Sequence, residues 1–307
     1  MPSLDIFQRA LNDRIVTRFA PSPTGRLHLG HVANAVWTWG IARALGAEIV
    51  LRMEDHDRGR CRPEYETAIL EDLAWLGLHA DRGEAELCAG GPCPYRQSDN
   101  TPRYEAALER LMAGGRVYGC GCSRKDIAAR MVRPDTDDEN PYDAYCRVLN
   151  LSVRPEQGVR VALPNEEIAF DDLNLGMQRQ HPARQCGDLL LRERNGYWTY
   201  QFCVCVDDLA QGVNLIIRGH DILSSTGRQI ALLCLLGEAA PRYLHHPLIY
   251  APDGRKLSKR EAAQGMHELR EAGKSPESVL GEAALRTGLL DTYRPLSVAE
   301  LPSLFDG

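Results

Sequence analysis

Lysine is nearly missing from this chain: four occur among 307 residues, against thirty-two arginines. The shortage reads as a coding bias toward arginine, and it makes the place of each lysine informative. A positive excess is lacking too. With 36 Lys+Arg against 42 Asp+Glu, a formal charge of −6 and a pI near 5.9, there is no overall basic face to hold nucleic acid through phosphates alone. Any contact with RNA must be local. No run approaches the ~18 apolar residues needed to span a membrane, and the opening MPSLDIFQRALNDR lacks the basic start and apolar run of an export signal. A cytoplasmic protein with no membrane partner is expected. Neither GxGxxG nor GxxxxGK[ST] occurs, so dinucleotide-binding and P-loop readings lose their main support. No internal repeat or heptad series is present either.

What is present is an alternation of strand-like and helix-like segments, the pattern of an α/β sheet. Residues 15–20 (IVTRFA) predict a first strand, 29–45 a helix and 47–53 (AEIVLRM) a second strand, a βαβ opening. A helix starts at Pro63 and runs to about Leu76, a loop rich in Gly, Cys and Pro covers 83–94, and another helix spans about 102–113. From Cys120 to about Leu190 the pattern weakens around an acidic stretch at 135–139 and reads as an insertion. Regular α/β then returns with 198–206, 215–218, a helix near 225–236, and 246–250; Asp207 and Asp208 either orient neighbouring charged groups or form an ordinary strand-end turn. The division expected is 1–115 and 191–260 as two halves of one catalytic domain, 116–190 as the inserted subdomain and 261–307 as a short helical region.

Two segments carry the chemistry. Arg18 to His31 reads RFAPSPTGRLHLGH, which puts His28 and His31 at the start of a helix with Gly30 between them. In an open α/β sheet, ligands collect at the carboxyl ends of strands, where a helix N-terminus offers free N–H groups and partial positive charge. Gly30 allows a nucleotide to approach the backbone closely. Far downstream, Lys256 and Lys259 stand three apart in KLSKR, compact point charges suited to phosphates on which charge develops. Two of only four lysines at that spacing argue for chemistry rather than a solvated loop. Together the segments point to activation of a carboxylic acid with ATP.

The stretches RFAPSPTGRLHLGH, LRMED (51–55), TYQFCVCVDD (199–208), LIIRGHD (215–221), TGRQIALL (226–233) and PLIYAPDGRKLSKR (247–260) occur in the order seen in class I aminoacyl-tRNA synthetases of the glutamyl type. The chain resembles that family over most of residues 15–260. The resemblance implies a Rossmann-like catalytic domain with a parallel sheet, L-glutamate and ATP with Mg²⁺ as substrates, and no protein nucleophile. It also implies an ATP site at His28, Gly30, His31 and Lys259, with Lys256 beside it. Glutamate would be bound by Arg18, by the strand end Phe19, Ala20, Pro21 and Ser22, and by Glu54, Tyr200 and Arg218. Arg18 can pair a carboxylate through two N–H groups, and Glu54 can answer the α-ammonium. Read without the resemblance, Arg218 would bridge Asp221 or Glu54, and Tyr200 would pack in the core.

Only 47 residues follow KLSKR, whereas glutamyl-tRNA synthetases continue into a helical anticodon-binding region. The chain thus resembles the glutamyl-Q tRNA(Asp) synthetase family, which attaches glutamate to queuosine in the anticodon of tRNA(Asp). That family carries a zinc site written Cys-x-Cys and then Tyr-x3-Cys, matched here by Cys120, Cys122, Tyr142 and Cys146. One structural Zn²⁺ would staple a loop-rich insertion, although tyrosine is an uncommon zinc ligand. Cys88 and Cys93 form a rival pair without further ligands, and the remaining cysteines read as packing residues. A monomer using tRNA(Asp) that carries queuosine is expected. The alternatives are a short synthetase charging a tRNA 3′ end and a non-catalytic paralogue that binds ATP or RNA.

Overall fold

The computed structural model describes residues 14–130, 141–249 and 265–306. Lys256 and Lys259 lie outside the described residues. Strand β1, Val16–Phe19, is buried at all four positions, as an inner strand of a covered parallel sheet must be. The chain then passes through APSPTGR into helix α1, Leu29–Ala44, and returns in β2, Glu48–Leu51, parallel to β1 with Arg18 opposite Val50. Helix α2, Pro63–Leu76, has proline where no N–H is needed and ends at Gly77, whose φ of 72° an L side chain would resist. Helix α3 covers Thr101–Ala113.

Strands β3, Val117–Cys120, and β4, Gly158–Val161, pair antiparallel and start a small separate sheet. Next come β5, Ile168–Asp172, β6, Gly176–Gln180, and β7, Leu189–Arg192; β7 completes the small sheet in the order β3-β4-β7. Helix α4 spans Tyr200–Gln211, β8 Leu215–Gly219, α5 Thr226–Leu235, β9 Arg242–His246 and α6 Pro276–Arg286. Strands β8 and β9 run parallel, β5 joins β9 at Asp172–Tyr243, and β6 lies antiparallel on β5. Strand β1 sits against β8 through Asn214, whose backbone N–H donates to Val16 O at 3.0 Å while its Oδ1 accepts from Val16 N at 2.9 Å. The carboxyl ends of β1 and β8 therefore open on the same place.

Two local expectations are corrected. Residues 200–211 form a helix, so Asp207 and Asp208 do not sit at a strand-end turn; Phe202 to Asp208 are buried without a break, and a segment buried all round carries no one-sided period to reveal it. The last parallel strand is 242–246 rather than 246–250, because the pairing with β8 begins at Leu215–Arg242. Strand β5, which falls within 116–190, pairs with β9 and carries β6 on its other edge, so that span contributes strands both to the small sheet and to the sheet of β8 and β9.

The larger core packs Phe19, Trp39, Ile49 and Ile217 with Leu280, Leu301 and Phe305 from the C-terminal stretch. A second cluster joins α3, β4, β7, α4 and α5 around Tyr104, Val159, Leu191 and Phe202. Among the described residues no helix is long and apolar enough to cross a membrane.

Candidate active site

A cavity of about 450 Å³ lies where β1 and β8 end and α1 begins. Its walls bring together Arg18, Phe19, Ala20, Pro21, Ser22, Glu54, Tyr200 and Arg218 with His28, Gly30 and His31. Asn34 and His246, which the sequence reading did not single out, share the wall with Asp221. His28 is the N-cap of α1: its Nδ1 accepts from Gly30 N, and His31 Nδ1 accepts from His28 N, both at 3.1 Å. Each ring thus satisfies a backbone N–H that a helix start leaves unpaired. Burial lowers the pKa of both rings, that of His31 to about 3, with His28 as its second cause. Both are neutral near pH 7. With Nδ1 used as an acceptor, the proton resides on Nε2, so the pair offers N–H donors without added charge. The rings lie 3.9 Å apart, a distance tolerable because neither is charged.

Beneath the cavity lies a buried ion network. Arg52, given no role in the sequence reading although it lies in LRMED, donates to Glu54 Oε1 at 3.0 Å, Asp208 Oδ1 at 2.7 Å and Gln211 Oε1 at 2.9 Å. Arg18 Nε stands 3.5 Å from the same Asp208 oxygen, and its Nη1 donates to Ile217 O at 3.3 Å. Asp207 turns the other way and accepts from Arg103, Tyr104 and Gln97 at 2.6, 2.7 and 3.0 Å. Among the described residues Glu54 is thereby held by one oxygen, which leaves the other for a cation. Tyr200 has its hydroxyl pKa pushed up to about 12, first by burial and then by the Glu54 charge, so it remains a neutral donor and acceptor. Arg218 bridges neither Asp221 nor Glu54. It donates to His245 Nε2, Gln229 Oε1 and Thr226 Oγ1 at 2.9, 2.7 and 2.7 Å.

In the small sheet, the Sγ atoms of Cys120, Cys122 and Cys146 lie within 4.8 Å of one another, with Cys122 and Cys146 3.4 Å apart. Thiolates around a tetrahedral Zn²⁺, with Zn–S near 2.3 Å, stand roughly 3.8 Å apart. The donor set therefore fits a thiophilic ion. Cys120 Sγ donates to the Tyr142 hydroxyl at 3.6 Å, placing a fourth donor atom at the cluster's edge. Arg160 covers the Tyr142 ring at 3.8 Å and donates to Cys120 Sγ at 3.3 Å, and Arg130 donates to Cys122 Sγ at 3.2 Å. At Cys122 burial raises the thiol pKa, and the hydrogen bond from Arg130 offsets part of that rise. Cys88 is exposed, Cys93 is buried, and neither belongs to this group.

Residues 14–292 match the family described as tRNA synthetases class I (E and Q), catalytic domain. A Glutamyl-Q tRNA(Asp) synthetase from Symbiobacterium thermophilum is 42% identical over 94% of this chain and 91% of its own length. One of the same name from Nitratidesulfovibrio vulgaris is 40% identical over 93% of each. Among solved structures, a glutamate tRNA ligase from Elizabethkingia meningosepticum in complex with its amino acid superposes with a TM-score of 0.78 at 27% identity. That likeness covers 96% of this chain, which spans 65% of the ligase.

Proposed function

This chain belongs to the class I tRNA synthetases of the E and Q type, and from that premise we propose that it activates L-glutamate with ATP and transfers the glutamyl group to queuosine in the anticodon of tRNA(Asp). The observation that carries the reading is the single cavity lined by two arginines, a carboxylate held by one oxygen, and a pair of neutral imidazole donors at a helix start. Arg18 and Arg218 suit the two carboxylates of glutamate, Glu54 its ammonium and Tyr200 a hydrogen bond to it. A glutamate carboxylate oxygen attacks the α-phosphorus, the bond to the bridging oxygen of the β-phosphate breaks, and pyrophosphate leaves; Mg²⁺ carried in with ATP would neutralise part of the phosphate charge. His28 and His31 Nε2–H, the α1 N-terminus beside Gly30, and Lys256 and Lys259 steady the phosphates as charge builds. A cyclopentene hydroxyl of queuosine then attacks the glutamyl carbonyl, its proton is lost, and AMP departs.

No side chain needs to form a covalent bond. Cys120, Cys122, Cys146 and Tyr142 would hold one structural Zn²⁺, which would tie the end of β3 to the 142–146 segment and take no part in the reaction. A cytoplasmic monomer suits this task. Support for queuosine over a tRNA 3′ end comes from relatives that bear that name and match this chain over nearly all of their length. The test supplies labelled glutamate to queuosine-containing tRNA(Asp), queuosine-free tRNA(Asp) and tRNA(Glu), then locates the ester by nuclease mapping. Label is expected on the first alone, at the anticodon. Label confined to the 3′ end of tRNA(Glu) would overturn the reading.

A further inference from the structure

We propose that Asp172 and His245 are positioning residues for Arg218, fixing which edge of its guanidinium faces the amino-acid substrate. The inference rests on the glutamate-activation reading and names two residues behind the cavity that do not line it. Arg218 has five N–H groups and no acceptor, so every partner must present a lone pair. Its Nε–H meets His245 Nε2 at 2.9 Å and one Nη2–H meets Thr226 Oγ1 at 2.7 Å, while those two acceptors stand 3.2 Å apart. They occupy one side edge of the fork together. Gln229 Oε1 takes an Nη1–H at 2.7 Å, its amide being oriented because Gln229 Nε2 donates to Gln201 Oε1 at 2.9 Å. One N–H on each Nη remains, and Arg218 lines the cavity. Carboxylate recognition through a planar fork depends on that aim.

The tautomer of His245 decides whether the aim holds. Because Arg218 can only donate, His245 Nε2 must carry the lone pair, and Nδ1 must carry the proton. Nδ1 donates to Asp172 Oδ2 at 2.6 Å. Asp172 is itself fixed: its Oδ1 accepts from the backbone N–H groups of Asn174, Leu175 and His245 at 3.1, 3.0 and 3.3 Å. The side chains of Asp172, His245 and Arg218 are buried, so a lost partner among them is costly. Asp172 ends β5, His245 lies in β9 and Arg218 in β8, so adjacent parallel strands assemble the chain of hydrogen bonds across 73 and 27 residues of sequence.

Asp172→Asn is a discriminating change because it keeps shape and inverts one proton. Three backbone donors hold the amide oxygen where Oδ1 was, which turns the NH₂ toward His245 Nδ1. His245 must then accept there and carry its proton on Nε2, setting N–H against N–H at Arg218. Glutamate-dependent ATP–pyrophosphate exchange by the purified full chain is expected to show a KM for glutamate raised roughly 10- to 100-fold, the scale of one misdirected charged hydrogen bond. The KM for ATP stays near the parent value, and the variant still unfolds in one cooperative transition at a somewhat lower melting temperature. His245→Gln, whose amide can donate to Asp172 and accept from Arg218, is expected to remain within about threefold of the parent. Nitrogen chemical shifts of His245 read the tautomer without substrate: the proton on Nδ1 in the parent and on Nε2 in the Asp172→Asn protein. An unchanged KM for glutamate, or the same tautomer in both proteins, overturns the proposal. A parent enzyme with no glutamate-dependent exchange overturns the activation reading instead, and the nitrogen shifts still judge the positioning chain.

Discussion

His31 is a cavity residue whose ring refuses a proton that the same residue accepts when unfolded. An unfolded histidine titrates near 6.5, whereas burial brings His31 down to about 3 and His246, across the cavity, to about 4. Between those limits the unfolded chain binds more protons than the native one, so stability is full above about pH 6.5 and declines as pH falls toward 4. Each such ring costs of order 1 kcal/mol per pH unit in that window. The urea midpoint is therefore expected to be lower at pH 5.5 than at pH 7.5. His31→Asn, which keeps an acceptor for the His28 N–H, should narrow that gap; an equal gap in both proteins would show that His31 is not a source of it. The motif made both histidines visible, since cap and partner lie three residues apart. Arg52 and Asp208 were not legible in the same way, because their bond joins residues 156 apart and neither has a local pattern that announces a partner.

The elements around the cysteine group meet through a glycine. Gly187 has a φ of 69°, and a methyl group there would lie 2.0 Å from Tyr142 O, while Tyr142 N donates to Cys186 O at 3.0 Å. Gly187→Ala is expected to push Tyr142 away from the three thiols and to lower bound zinc, measured by elemental analysis, from about one per chain to well below it. Full zinc content in the folded variant would separate Tyr142 from metal binding. The spacing Cys-x-Cys and Tyr-x3-Cys could be read from sequence because those pairs are local. Their convergence depends on β3 running antiparallel to β4 and on the short helix Tyr145–Val148, a tertiary matter. Helix α4 shows the opposite limit: VCVDD, buried throughout, resembles a strand as much as a helix until its neighbours are known.

Across the whole molecule, α1 is held between the active-site cavity and the C-terminal stretch. Phe305 packs edge-on against Trp37 at 5.3 Å, and a methyl group on Gly40 would lie within 2.2 Å of the Phe305 ring. The helix that presents His28 and His31 is thus seated from behind by residues some 270 positions away. Phe305→Ala is expected to cost about 3–5 kcal/mol in chemical denaturation, as removal of a buried ring does, with a rise in the temperature sensitivity of exchange. A loss below 1 kcal/mol would mean that the stretch does not support α1.

Sequence alone determined what lies within reach of one segment: the paired histidines at a helix start and the strand end that follows Arg18. These follow from local rules, since helix caps and turns are built from residues a few positions apart. Tertiary structure decided how the charges are shared. Arg52 and Arg18 divide Asp208 between them, Glu54 keeps one oxygen free, and Asp172 reaches Arg218 through the tautomer of His245. Each of those settings joins different strands or helices in a water-poor interior. There an unpaired charge is too costly to leave, and the partner is chosen by the fold rather than by the neighbouring residue.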